Sequence, residues 1–262
     1  MKIKLFYLLG LLLLASCSHR NLAYLSDLQE QATYEEGITN DTEPKIQAYD
    51  LLSVSVTSLN PEASALFNTG QAAVAASMSN FSIASNTSAN SIYREGYLVD
   101  KEGFIDFPVL GKVKLGGLTK AQAKEHFVSE LEKHLKGPIV NVRYLNYKVT
   151  VVGEVNRPST FTIPSERINI LEALGMAGDM TAFGKRENVL VIREENGIRK
   201  VTRLNLNNKD VLSSPFFYLQ QNDVVYVEPS EAKELQSSTR TYYLPIAVAV
   251  VSALSIVLSR LF

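Results

Sequence analysis

The sequence predicts an α+β chain of two small mixed units followed by a C-terminal transmembrane helix. Three observations carry that reading: short runs of alternating apolar residues, two helices announced by capping boxes, and an uncharged apolar tail. Of 262 residues, 20% are charged and 46% are hydrophobic, so a proper core is available and collagen or wholesale disorder is excluded. A single cysteine excludes a disulfide scaffold. Lys and Arg number 26 against 27 Asp and Glu, a net charge of −1, so no cationic field exists to hold a nucleic-acid backbone. Nucleic acid is not an expected partner.

The chain opens with Lys2 and Lys4 ahead of an unbroken apolar run from Leu5 to Ala15, the pattern of a secretory signal over residues 1–16. The run ends in Leu14-Ala15-Ser16-Cys17, which resembles the lipobox of bacterial lipoproteins. That resemblance implies cleavage before Cys17 and acylation of its thiol, and hence work outside the cytoplasm. The other reading is a buried free thiol near a leader. Residues 17–44 are polar and acidic, as suits a tether leading away from an anchor.

A first unit is expected over 45–145. Leu52, Val54 and Val56 alternate as a half-buried strand, which Asn60-Pro61 stops. Residues 63–93 carry no charge and are rich in Ala, Ser and Asn, a long loop that is either functional or disordered. Short strands resume at Tyr97–Asp100, Phe104–Phe107 and Lys112–Leu115. Thr119 and Gln122 form a capping box, Ala123, Phe127, Leu131 and Leu135 share one face, and Gly137-Pro138 closes a helix over 119–136. A strand over Ile139–Tyr144 ends the unit.

The second unit is expected over 146–229, with strands at Lys148–Val155 and Phe161–Ile163 and a short helix boxed by Asn169 and Glu172 and ended by Gly178. Strands Val189–Arg193 and Arg199–Leu204 flank the turn signal Asn196-Gly197, and Val224–Val227 stops at Pro229. A linker over 230–241 leads to the tail.

Residues 242–262 are read as a transmembrane helix, with Tyr242, Tyr243, Arg240 and Arg260 as interfacial anchors. At 100° per residue Ser252, Ser255 and Ser259 share one side, opposite Ile246, Val250, Leu254, Val257 and Leu261. The apolar side is assigned to lipid. The serine side is either a pore or helix-packing face, or a row of hydroxyls bonding the carbonyl one turn back.

Catalytic and metal chemistry find little support. His126, Glu130 and His134 stand one turn apart, but as a row bordering the apolar stripe they read as a solvated face. Neither G-x-S-x-G nor a P-loop occurs. Glu154 with Asp179 or Glu172 is the one imaginable carboxylate pair for glycan cleavage. No catalytic residue, metal or cofactor is expected.

The segments Tyr97-Leu98-Val99-Asp100, Gly103-Phe104-Ile105-Asp106-Phe107-Pro108-Val109-Leu110-Gly111 and Gly116-Gly117-Leu118-Thr119 resemble the polysaccharide biosynthesis/export domain of Wza-like outer-membrane proteins. Val151-Val152-Gly153-Glu154-Val155 with Pro158, the Leu171–Leu174 helix with Ala177-Gly178, and Asn222-Asp223-Val224-Val225-Tyr226-Val227 are similar to the SLBB module, a β-grasp-like domain. Where that family commonly has Gly after the proline, this chain has Ser159, which puts one turn in question. The resemblance implies a lipidated, ring-forming homo-oligomer in the outer membrane. Its main domains lie in the periplasm, and capsular or extracellular polysaccharide passes through it. It also implies an inner-membrane polysaccharide co-polymerase with a tyrosine kinase as partner. The alternative from the residues is a glycan-binding periplasmic adaptor whose tail sits in the inner membrane.

Overall fold

The computed structural model describes residues 21–28, 32–40, 43–68, 96–195, 197–237 and 239–261. Cys17, the leader and most of the neutral segment at 63–93 lie outside the described residues.

In the first unit the alternation of β1 (Leu51–Thr57) places Leu52, Val54 and Val56 in the interior, all fully buried. Asn60 then caps a one-turn helix, α1 (Pro61–Ala65), so the neutral segment begins with a helical turn rather than a loop. Phe67 is buried behind it. The edge strand β2 (Tyr97–Leu98) and the hairpin β3 (Phe104–Phe107) and β4 (Gly111–Lys114) come next, and the hairpin turns through Val109 and Gly111 at positive φ. Helix α2 (Lys120–Leu131) starts with the Thr119–Gln122 box, both bonds of which are made, and buries Ala123, Phe127 and Leu131. Its last residue is Leu131, with Glu132 as C-cap, a turn earlier than the apolar spacing suggests, although Leu135 is still buried. Strand β5 (Ile139–Tyr144) pairs antiparallel with β1 in the order β2-β1-β5, and the rings of Phe127, Phe107 and Tyr97 pack in sequence, tilted, with centres 4.9 and 5.0 Å apart.

The second unit is a five-stranded mixed sheet in the order β10-β9-β12-β6-β7. Its strands are β6 (Lys148–Gly153), β7 (Ser159–Thr162), β9 (Gly184–Glu195), β10 (Ile198–Leu204) and β12 (Val224–Pro229). A two-residue ladder joins β8 (Ile168–Asn169) to β11 (Tyr218–Leu219), and helix α3 (Ile170–Met176) starts from the Asn169–Glu172 box. The parallel pairing of β12 with β6 brings the Val227 carbonyl against Gly153, where a Cβ would stand 2.1 Å from the oxygen, and Gly153 has φ +96°. Only glycine satisfies both conditions. Ser159 is an ordinary strand residue with no positive φ, so its turn carries no strain.

Residues 21–28 and Asn40 lie against the second unit. The N–H groups of Leu25 and Ser26 donate to the Leu206 and Asn207 carbonyls at 2.9 and 2.8 Å. The Asp27 carboxylate takes the Lys209 N–H at 3.0 Å, and Asn40 Nδ2 donates to the Leu212 and Ser214 carbonyls. The Tyr24 hydroxyl donates to Asp179, and the Arg186 guanidinium lies 5.3 Å from the Tyr24 ring centre.

Beyond β12 a short helix, α4 (Glu231–Ser237), occupies the expected linker, and α5 spans Thr239–Leu261. Among the described residues no helix is long and apolar enough to cross a membrane, which overturns the transmembrane reading of 242–262. Pro245 lies inside α5 and the Tyr242-Tyr243 pair precedes it, while Ser252, Ser255 and Ser259 interrupt the remainder of the helix. Pro245 removes one backbone donor from the helix, and the tyrosines and serines lower its apolar content. The inner-membrane adaptor topology rests on the same span and falls with it. Ile246, Val250, Leu254 and Val257 are exposed, as are Val248, Val251 and Ile256 around the helix, so exposure does not single out a lipid face. Ser252 Oγ donates to the Val248 carbonyl at 2.8 Å, the one-turn-back bond; the side chains of Ser255, Ser259 and Leu261 lie outside the described part.

The two units meet in a polar joint around Asn146. Its Oδ1 accepts the Leu51 N–H at 2.8 Å and its Nδ2 donates to the Tyr49 carbonyl, while Gln221 Nε2 donates to the Asn146 carbonyl at 2.7 Å. Gln221 Oε1 accepts the Lys148 N–H, and Tyr147 donates its hydroxyl to the Leu219 carbonyl. Glu166, at φ +55°, accepts the Tyr144 N–H on one oxygen and holds the Lys120 ammonium on the other. Beside this joint Asp50 is fully buried, with Oδ2 on the Gln47 N–H and Oδ1 unpartnered among the described residues. Burial pushes its carboxyl up to about 6, against the lowering effect of the Gln47 N–H and Gln221.

Gly153→Ala should lower the unfolding free energy by at least about 2 kcal/mol, read by urea denaturation, because a carbonyl must move. The native state holds the Asp50 proton to higher pH than the unfolded chain does, so stability falls as pH rises from about 4 to above 6. Asp50→Asn should remove about 2–3 kcal/mol of that fall in denaturation curves across this range.

Candidate functional site

Between the units lies an open cleft of about 900 Å³, and its floor follows from local chemistry. Asp50 draws the Gln47 N–H into a tight turn, and Ile46 exchanges backbone bonds with Leu118 and Gly117 at 2.8 Å, pinning residues 45–50 against the start of α2. Tyr49 leaves that turn at φ +71°, its N–H on the Val99 carbonyl and its own carbonyl on Asn146, with its ring exposed into the cleft. An aromatic residue in the left-handed region costs about 1 kcal/mol, and an exposed ring returns little of it through packing.

The adjacent wall is the Lys101–Gly103 turn. Asp100 Oδ1 accepts the Phe104 N–H at 2.7 Å, and the Gly103 carbonyl accepts both Leu115 and Gly116 N–H groups at 2.9 Å. Gly103 and Gly116 approach so closely that a Cβ on Gly116 would stand 2.8 Å from the Gly103 Cα. Lys114 extends its ammonium to the Glu102 carbonyl, 4.6 Å from the Phe104 ring centre.

The opposite wall belongs to the second unit. Arg193 and Asp223 form a buried pair: Nη2 donates to Oδ2 at 2.7 Å and Nε to both oxygens at 3.1 Å. Arg193 also bonds the Pro215 and Tyr218 carbonyls, and its guanidinium lies 4.6 Å from the Phe216 ring centre. The pair is satisfied on both sides, as a buried ion pair must be to persist, and it fixes the loop that presents Phe216. Along the rim Glu194 is paired with Arg199 and Glu195 with Lys200, while Glu43 accepts the Ala121 N–H. Lys45 and Lys101 have no ion-pair partner among the described residues.

Most residues singled out from sequence serve the scaffold. Gly103, Gly111, Gly117, Gly153 and Gly178 all hold positive φ. Thr119 caps α2 and Asp223 anchors Arg193, while Pro108 sits in the β3–β4 turn and Pro158 directly precedes β7. The imagined carboxylate pair is engaged elsewhere: Glu154 accepts from Thr181 and lies 3.5 Å from Lys233, Glu172 completes the α3 box, and Asp179 takes the Tyr24 hydroxyl. Glu130 is paired with Lys133, and among the described residues no group of three or more His, Cys, Asp or Glu is placed to hold a metal ion. Sequence reading missed Tyr49, Asn146, Glu166 and Gln221. Their roles arise from contacts between distant segments, and no local pattern marks them.

The family model for "Polysaccharide biosynthesis/export protein" matches residues 39–145, and the model for "SLBB domain" matches residues 147–227. The chain is 29% identical over 140 residues to "EPS I polysaccharide export outer membrane protein EpsA" of Ralstonia solanacearum, covering 52% of this chain and 37% of that protein. It is 32% identical over 119 residues to the protein of the same name from Ralstonia nicotianae, covering 44% of this chain and 31% of that protein. The chain thus spans about a third of the length of the curated relatives it matches. With the first model meeting the unit around β1 and the second the mixed sheet, the chain carries a polysaccharide biosynthesis/export domain followed by an SLBB domain.

Proposed function

We propose that this protein is a lipid-anchored component of an outer-membrane assembly that passes capsular or extracellular polysaccharide from the periplasm to the cell surface. The observation that carries the reading is the fixed order of an export domain and an SLBB domain, joined through Asn146, Gln221 and Glu166. The names of the Ralstonia relatives point the same way.

Cys17, at the end of the leader, is the acylation site. Tyr24, whose hydroxyl reaches Asp179, is seven residues on, so an anchor at Cys17 is held within about 25 Å of the point where the N-terminal strap meets the second unit. Identical copies form a ring around the polymer's path, with α5 supplying exposed apolar surface for contacts between them. The protein makes and breaks no bonds. Polymer synthesis and an inner-membrane polysaccharide co-polymerase with its tyrosine kinase supply the drive, and the main domains face that partner in the periplasm.

Deleting the gene in its host should abolish cell-surface polysaccharide while polymer accumulates inside the envelope, and the intact gene should restore export. Cys17→Ala should eliminate incorporation of labelled palmitate and release the protein from the outer-membrane fraction. Unchanged surface polymer in the deletion strain would refute the reading.

A further inference from the structure

The cleft between the units has features that the scaffold does not need, and we infer that it is a subsite for an acidic sugar residue of the transported polymer. The inference rests on the export reading and adds to it a place of contact and a chemical class.

Two observations give the cleft its shape. Tyr49 carries backbone strain at φ +71° to hold an exposed ring at the rim, and strain without packing return is characteristic of ligand sites. Phe216 is fixed on the facing wall by the Arg193 guanidinium, itself immobilised by Asp223 and two carbonyls. The cleft is thereby preformed with one aromatic on each side, and the C–H faces of a pyranose ring stack on such surfaces.

The charges decide which sugar. Glu194 and Glu195 are neutralised by Arg199 and Lys200, and Glu43 is taken up by a backbone N–H. Lys45 and Lys101 have no ion-pair partner among the described residues, and Lys114 meets only a carbonyl and a ring face. Glu43 and Glu102 are the acids lining the cleft that have no cationic partner among the described residues, against Lys45, Lys101 and Lys114, so cationic charge exceeds anionic by one and a carboxylate-bearing sugar is favoured over a neutral one. Gln220, on the second unit's wall, adds an amide suited to hydroxyl groups.

The test is calorimetric titration of the detergent-purified full chain with trigalacturonate and with maltotriose in about 50 mM salt. Trigalacturonate should bind at least about tenfold more tightly than maltotriose, and lose at least about tenfold in affinity in about 500 mM salt or in Lys45→Ala/Lys101→Ala. Tyr49→Gly should weaken binding similarly yet leave the melting temperature within about 3 °C, since glycine removes the strain and little packing is lost. A purely structural Tyr49 would instead lower that temperature with binding intact. Equal affinity for the two trisaccharides, unchanged affinity in the lysine variant, or no binding of either by the wild type would each overturn the proposal. If deletion of the gene abolishes export but a strain carrying all three substitutions exports normally, the cleft assignment fails while the export reading stands. If deletion leaves export intact, the reading itself fails.

Discussion

A cluster of side-chain amides and one carboxylate joins two units that are otherwise separate sheets, and the rest of the structure depends on it. Asn146 and Gln221 bond to each other and to backbone on both sides, and Glu166 reaches from the second unit to the last residue of β5 and the first of α2. A buried amide or carboxylate lacking its partners costs more than its bonds return when made, so this joint is satisfied as a set or fails as a set. Glu166 occupies a left-handed backbone conformation while making these bonds, further indication that its position is imposed by both units together.

The cleft follows from the joint. Its two walls come from different units, so their spacing is only as constant as the angle between them. Where the joint is rigid, the two walls, with Tyr49 on one and Phe216 on the other, keep a fixed separation, and a ligand does not have to order the site as it binds. The N-terminal strap adds a second constraint, because Leu25, Ser26, Asp27 and Asn40 fasten the segment that comes after Cys17 to the second unit. Within a stretch of polar, acidic composition, these bonds to the second unit fix residues 24–27 and Asn40.

The features legible in the sequence were those that neighbouring residues decide. Both capping boxes are three-residue patterns whose bonds are local, and both are made as read. The alternation of Leu52, Val54 and Val56 and the face of Ala123, Phe127 and Leu131 follow from period alone. Positions decided by distant chain were not legible: Gln221 bonds Asn146 from 75 positions away, Tyr24 meets Asp179 from 155 away, and Tyr49 has no sequence signal of its positive φ. The tail shows the opposite error. Its uncharged apolar length suggested a span, but among the described residues no helix is long and apolar enough to cross a membrane.

Native-state hydrogen exchange at the Leu51, Tyr144 and Lys148 amides tests the central claim most directly, because each donates to a side chain of the joint. All three should exchange as slowly as the interior of β1 and β6, opening only with global unfolding. Exchange at loop-like rates while those strands stay protected would mean that the units move independently, and neither a fixed cleft nor a rigid path for polymer could then be built from them.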